Sequence, residues 1–331
     1  MKTKLAINGF GRIGRIFFRQ AHDLPRGKAG HPEFEIVAIN DLGTKENLEY
    51  LLKYDTVYKR YDGDLANVQF FQEKDPSKLP WGKLGIDVVV ESTGFFETAE
   101  KAQAHITAGA KRVVISAPAK DDVTPTATPN VGMQTLGGAA ITSNASCTTN
   151  ATNPVVAIMS GSIGIKKAVL STTHGYTATQ MLVDGPGGKD FRRGRAAAQN
   201  IVPSTTGAAK ATTRVIPALE GKFDGVAIRV PVPAGSLIDL TFVAARPTTV
   251  EEVNSIFKAA AASAEWNGIL AYNEEQLVSS DILGNPHGSI FDSTLTKVID
   301  GDLVKVFSWY DNEWGYCAML IKHLQEVAKL L

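Results

Sequence analysis

Through the first 146 residues, short apolar runs alternate with segments whose apolar positions recur at helical spacing. Lys4–Asn8, Phe34–Asn40, Ile86–Val90 and Arg112–Ser116 are four such runs, and the second stops at Asp41. Continuously apolar runs suit strands buried on both faces, as in a parallel sheet. Arg15–Ala21 and Thr98–Ala110 carry the helical pattern between them. Strand and helix in alternation predict a doubly wound parallel sheet for this half. Beyond Cys147 the runs lengthen and alternate apolar with polar, at Lys166–Thr173, Asp224–Pro231, Ser236–Ala244 and Leu303–Tyr310. Val250–Ala264 reads as one amphipathic helix, and Thr177–Arg195, rich in glycine and charge, as a long ordered loop. The second half is therefore expected to be α+β, a mixed sheet with helices on one side.

Length and charge narrow the classes. A chain of 331 residues suits about two domains. Lys+Arg 34 against Asp+Glu 34 leaves no net charge. That argues against broad binding of nucleic acid or anionic membrane, while leaving room for a local basic pocket. The two cysteines, Cys147 and Cys317, make no disulfide framework, which suits a reducing, cytoplasmic compartment. The N-terminus is too short and polar for a signal peptide, and no apolar stretch approaches the ~20 residues of a membrane span. No metal site is expected.

The first strand runs straight into Gly9-Phe10-Gly11-Arg12-Ile13-Gly14, with a helix expected next. Strand, GxGxxG and helix in that order form a dinucleotide fingerprint. Gly9 and Gly11 permit a tight turn and a close approach to a pyrophosphate, Gly14 permits close helix–strand packing, and the helix N-terminus offers free N–H donors. Asp41 closes the second strand 27 residues after Gly14. A spacing of about 20 is usual, and an enlarged His22–Glu33 turn accounts for the excess. A carboxylate at Asp41 accepts hydrogen bonds from an adenosine ribose and repels a 2′-phosphate, which favours NAD over NADP.

Cys147 sits in Ser143-Asn144-Ala145-Ser146-Cys147-Thr148-Thr149-Asn150, ahead of the apolar run Pro154–Met159. A lone cysteine is either a small buried residue or a reactive thiol. Its polar flanks, and a position where a loop enters a helix, favour the thiol, because the helix dipole stabilises thiolate. A nucleophile also needs a base, and His174 in Thr172-Thr173-His174-Gly175-Tyr176-Thr177 is the natural partner.

With these segments in hand, the chain resembles phosphorylating glyceraldehyde-3-phosphate dehydrogenases from end to end. Ile7–Arg15 matches the family's INGFGRIGR and Ser143–Asn150 its SNASCTTN. Ser204–Lys210, Arg229–Pro233 and Ser308–Tyr316 match further motifs in the family's order. The resemblance implies an NAD domain over 1–146, a catalytic domain over 147–313, and a C-terminal helix over 314–331 that packs back on the first. It implies a homotetramer, with the Thr177–Arg195 loop near a neighbouring subunit's cofactor. Arg12 and Ile13 would lie at the pyrophosphate and Asp41 at the ribose. Thr93, Gly94 and Ser116 would line the cofactor cleft, Asn312 would hold the nicotinamide carboxamide beside Tyr316, and Lys74 stands where the family often has Arg.

The implied reaction takes glyceraldehyde 3-phosphate and inorganic phosphate to 1,3-bisphosphoglycerate through a thiohemiacetal and a thioester on Cys147, with His174 as base. By the same resemblance Thr177 and Arg229 hold the substrate phosphate, and Ser146, Thr148, Arg193, Thr206 and Gly207 the incoming one. Ala151 replaces a second cysteine that many members carry, and the stretch between Asp55 and Asp75 is shorter than the family's. The rival readings are an erythrose-4-phosphate dehydrogenase of the same superfamily and a non-catalytic NAD- or RNA-binding relative.

Overall fold

The structure is a computed structural model that describes residues 2–22 and 33–331; most of the enlarged turn expected after His22 lies outside the described residues. The chain divides into two compact units, one running up to Ser146 and including Cys317–Leu331, the other Cys147–Tyr316.

The first unit contains β1 (Thr3–Asn8), α1 (Arg12–Ala21), β2 (Phe34–Asn40), α2 (Lys45–Lys53), β3 (Gln69–Phe71), α3 (Trp81–Leu84), β4 (Val88–Glu91), α4 (Ala99–Thr107), β5 (Arg112–Ile115) and β6 (Ile141–Ser143). The strands form one sheet in the order β3-β2-β1-β4-β5-β6, parallel throughout. The apolar runs are buried on both faces: Leu5, Ala6, Ile7 and Val88, Val89, Val90 are all sealed from solvent. This is the doubly wound sheet that the alternation predicts. Its winding reverses between β1 and β4, which opens a crevice at the C-terminal ends of those strands.

Element ends depart from periodicity where backbone chemistry overrides it. Helix α1 starts at Arg12, because Gly11 caps it and accepts the Arg15 N–H at 3.0 Å. Helix α4 is shorter than Thr98–Ala110: the Thr98 side chain caps it, and Gly109 at φ +101° turns the chain away after its end. Ile86 stays out of β4 because its N–H bonds the Trp81 carbonyl at 3.0 Å.

The second unit contains α5 (Cys147–Ser162), β7 (Ile165–Gly175), β8 (Val202–Thr205), α6 (Ala208–Val215), β9 (Phe223–Val230), β10 (Ser236–Ala244), α7 (Val250–Ala261), β11 (Leu270–Asn273), β12 (Ser289–Ile299) and β13 (Leu303–Tyr310). Its seven strands run β11-β12-β13-β10-β7-β9-β8, parallel at β11–β12 and β7–β9 and antiparallel elsewhere, so the mixed sheet is present. Helices α5, α6 and α7 pack against it. Alternation places Ala168, Leu170, Thr172 and His174 of β7 inward, with Ile238 and Leu240 of β10 and Tyr310 of β13 also buried, while Val169 and Val226 remain exposed. Helix α7 ends at Ala261 instead of Ala264, where the Ser263 hydroxyl donates to the Ala260 carbonyl at 2.7 Å. The Thr177–Arg195 loop is ordered by Met181 N–H to Arg193 O and Gly185 N–H to Gly194 O bonds of 3.1 and 2.8 Å. A last helix, α8 (Trp314–Ala328), carries the chain from the second unit into the first. There Thr142 and His323 share a hydrogen bond of 3.1 Å between Oγ1 and Nε2.

Candidate active site

Cys147 is the first residue of α5. The turn before it holds Ala145 at φ +57°, a left-handed conformation that costs a residue with a Cβ about 1–2 kcal/mol. His174 is the next-to-last residue of β7, on the face that the helices cover, and its Nε2 lies 3.3 Å from Cys147 Sγ. Parallel pairing sets Arg229 of β9 directly opposite His174. As a result the imidazole Nδ1 lies 2.6 Å from the Gly175 carbonyl and 2.5 Å from Arg229 Nη1, which also donates to that carbonyl at 3.2 Å. One proton position serves only one of these neighbours. With Nδ1–H donating to Gly175, the Nε2 lone pair points at the sulfur; with Nδ1 accepting from Arg229, the proton sits on Nε2.

Beneath the pair lies Tyr310, which the sequence reading did not single out. Its hydroxyl lies 2.9 Å from Thr148 Oγ1 and 2.8 Å from Thr172 Oγ1, and its ring meets His174 edge-on at 5.9 Å. Alternation along β13 marks Tyr310 as an inward position; only the sheet order shows that it faces His174.

The electrostatics correct one expectation. Burial, the largest influence, pushes the Cys147 thiol up, against the opposing pull of Arg229's charge and of hydrogen bonds at Thr148. Cys147 keeps part of its surface open, so the penalty is softer than for a sealed thiol. Burial also drives the His174 imidazole down to about 3, and Arg229's charge adds to that shift. The pair therefore rests as thiol and neutral imidazole, and the helix dipole alone does not hold a thiolate. Burial lowers Arg229 as well, and the nearby Arg193 adds to this.

The remaining anion-binding candidates are held by local structure. Arg193 donates to Ser204 Oγ from Nε at 3.0 Å and from Nη2 at 2.8 Å, and faces Asp190 at 3.7 Å. Thr206 accepts the Ala208 N–H at 3.2 Å, and Gly207 is the N-cap of α6. Thr177 pairs with Thr179 at 3.0 Å. Ser146, half-buried, immediately precedes Cys147. Thus Cys147, Thr148, His174 and Arg229 form one hydrogen-bonded group, and Thr177 and Thr206 are not bonded into it.

In the first unit a cavity of about 460 Å³ opens at the reversal of winding, between Asn8, Gly9, Gly11, Asp41, Lys74 and Thr93. Added side-chain carbon at Gly14 would meet the Gly9 carbonyl at 2.2 Å, and at Gly9 (φ +93°) the Ser92–Thr93 backbone at 2.7 Å. At Gly11 it would meet nothing within 4 Å. Gly9 and Gly14 thus serve close packing, whereas Gly11 leaves open space beside the first helical N–H groups, the cradle a pyrophosphate requires. Asp41 accepts from Phe10 N–H at 2.6 Å and Gly43 N–H at 2.8 Å, which ties the glycine turn to the end of β2. Leu42, Phe95 and Phe96 supply apolar walls that the sequence reading missed, although each stands within a few residues of Asp41 or Thr93. These residues fit a dinucleotide.

Gly94 (φ +75°) follows Thr93, and Ser116 Oγ donates to Glu91 O at 3.0 Å nearby. The Arg12 side chain is engaged by Asp55 at 2.5 Å and does not line the cavity, and the Ile13 carbonyl accepts from Cys317 Sγ. Asn312 and Tyr316 belong to the second unit. Asn312 Oδ1 accepts from Gly235 N–H at 3.0 Å and Ser236 Oγ at 2.9 Å, which fixes its amide plane; Tyr316 is buried one turn on.

A dinucleotide crevice in one unit and a cysteine–histidine pair in the other define a class: nicotinamide-dependent oxidoreductases that work through a thiol. Comparison with known proteins narrows it. Residues 3–99 match the profile of the glyceraldehyde 3-phosphate dehydrogenase NAD binding domain, and residues 146–312 that of its C-terminal domain. The chain is 48% identical to the glyceraldehyde-3-phosphate dehydrogenase of Clostridium pasteurianum, with 99% of both chains covered. It is 48% identical to that of Mycobacterium avium over the whole of both chains, and 46% identical to that of Streptomyces coelicolor over 97% of each. The chain belongs to the glyceraldehyde-3-phosphate dehydrogenase family, and NAD is its cofactor.

Proposed function

We propose that this chain oxidises glyceraldehyde 3-phosphate with NAD and inorganic phosphate, using Cys147 as nucleophile and His174 as base. The 3.3 Å contact between Cys147 Sγ and His174 Nε2 at the start of α5 carries the reading. His174 takes the thiol proton as sulfur adds to the aldehyde carbon, and returns it to the new alkoxide to give a thiohemiacetal. NAD, when bound, accepts the hydride that leaves this carbon. His174 removes the hydroxyl proton as the carbonyl re-forms, leaving a thioester. A phosphate oxygen then attacks the thioester, and Cys147 leaves as thiolate beside the imidazolium. To the Cys147 backbone N–H we assign the stabilisation of the developing oxyanion.

Arg229 has two tasks in this scheme. Its guanidinium suits the substrate phosphate, a bidentate anion. Against Nδ1 it also disfavours charge on His174. A bound phosphate neutralises it, so the imidazole gains basicity when substrate is present. Thr177 helps hold that phosphate, and Ser146, Thr148, Arg193, Thr206 and Gly207 the incoming one. Asp41 holds the adenosine ribose, Gly9, Gly11, Arg12 and Ile13 the pyrophosphate side, and Lys74, Thr93, Gly94 and Ser116 the cleft. Asn312 orients the carboxamide beside Tyr316.

The test is NADH absorbance with glyceraldehyde 3-phosphate, with and without inorganic phosphate. Phosphate-dependent turnover is expected, and Cys147→Ser should abolish it while NAD still binds. Phosphate-independent turnover, or a faster reaction on erythrose 4-phosphate, would displace this reading.

The assembly we propose is a homotetramer in the cytoplasm. Val169 (61% exposed) and Val226 (53%) are apolar residues standing on the open side of β7 and β9, and Leu182, Val183 and Phe191 stand out from the long loop. Such apolar exposure suits burial against further copies of the chain. Both cysteines are free, which suits a reducing compartment. Among the described residues no helix is long and apolar enough to cross a membrane.

A further inference from the structure

Two buried ionisable groups in the first unit take no part in the chemistry above. Glu91, at the end of β4, is 2% exposed, and His105, on α4, is sealed. The Glu91 carboxylate receives four donors. Thr93 N–H and Thr93 Oγ1 reach Oε1 at 2.8 and 2.5 Å. Asn8 Nδ2 and His105 Nε2 lie 2.6 and 3.0 Å from Oε2. A carboxylate has about four acceptor sites, so this one is fully satisfied.

The direction of the histidine bond follows from its other neighbour. Trp81 Nε1, which only donates, lies 3.1 Å from His105 Nδ1. Nδ1 therefore accepts, and Nε2 carries the proton that goes to Glu91. Asn8 Nδ2, 3.3 Å from Nε2, is a second donor that shares the same acceptor. From Asn8 the network continues. Its Oδ1 accepts from Asn40 Nδ2 at 2.7 Å, and Asn40 exchanges bonds of 2.9 and 2.8 Å with the Glu73 backbone. The His105 ring also meets Phe96 edge-on at 6.0 Å.

Asn8, Asn40, Glu73, Thr93 and Phe96 all line the 460 Å³ cavity. They stand at or just beyond the ends of β1, β2, β3 and β4, four strands that approach it from different parts of the sequence. We propose that Glu91 and His105, with the histidine tautomer set by Trp81, are positioning residues that hold these strand ends in the spacing NAD requires. Neither touches the cofactor; each acts through Thr93, Asn8 and Phe96. The Thr93 hydroxyl is accordingly committed to Glu91, and Thr93 serves the cleft by its place. This inference rests on the reading of the cavity as the NAD site.

The test is NAD affinity by calorimetry on the full chain, with melting temperature recorded alongside. Glutamine has an amide to donate to Glu91 and a carbonyl to accept from Trp81, so His105→Gln should bind NAD within about twofold of wild type. His105→Leu removes both bonds and should weaken binding about tenfold. The KM for NAD should rise with it, while kcat at saturating NAD and the alkylation rate of Cys147 stay unchanged. A folded His105→Leu that binds NAD like wild type overturns the proposal, as does equal loss in both variants. If His105→Leu does not fold, Trp81→Phe removes the indole donor alone, and an unchanged NAD affinity there overturns it equally. Gly11→Val separates the two layers of the argument, because it fills the cavity without touching the network. Unaltered NAD binding in Gly11→Val sinks the reading of the cavity itself, whereas lost binding there beside wild-type affinity in His105→Leu sinks only the positioning role.

Discussion

Acid should loosen the first unit through His323. This imidazole on α8 is sealed from solvent, and its Nε2 lies 3.1 Å from Thr142 Oγ1. Burial lowers it from 6.5 to about 4, and contact with the Ala127 backbone offsets little of that. As pH falls below 6.5 the unfolded chain takes up the proton first. The stability present at neutral pH is then lost progressively until the folded group protonates near pH 4. Between about pH 7.5 and about pH 5 the linkage amounts to ~2 kcal/mol from this residue alone. His174, lowered to about 3, acts in the same direction. The measurement is urea unfolding of wild type and His323→Gln at the two pH values. Glutamine keeps a partner for Thr142 and cannot titrate in this range. The variant should lose ~2 kcal/mol less than wild type over the interval. An identical loss in both proteins would refute the assignment, because carboxylates common to the two cancel in the comparison.

Two further outcomes test the cofactor unit. Asp41→Gly should relax the preference for NAD over NADP and loosen the glycine turn that Phe10 N–H ties to it; unchanged selectivity in a KM comparison of the two cofactors would remove Asp41 from the ribose. Gly14→Ala forces a carbon to within 2.2 Å of the Gly9 carbonyl, so α1 must shift from β1 at a cost of about 1–3 kcal/mol, read as a lower melting temperature and weaker NAD binding.

Much of this protein was settled by short stretches of chain. Strand, glycine turn and helix at residues 4–21, the polar frame of Cys147, and the alternation along β7, β10 and β13 are local patterns, because backbone geometry sets their periods of 2.0 and 3.6 residues. The tertiary structure decided what those patterns face. Tyr310 reaches Thr148 across 162 positions, and Trp81, His105 and Glu91 converge only because β4 and α4 pack together beneath the cavity. The resting state of the nucleophile also came from packing: polar flanks suggested an ionised sulfur, whereas burial favours a thiol against the pull of Arg229, and burial together with Arg229 keeps the imidazole neutral. Desolvation and proximity sum over every element that surrounds a group, so they appear only once the sheet order has brought those elements together.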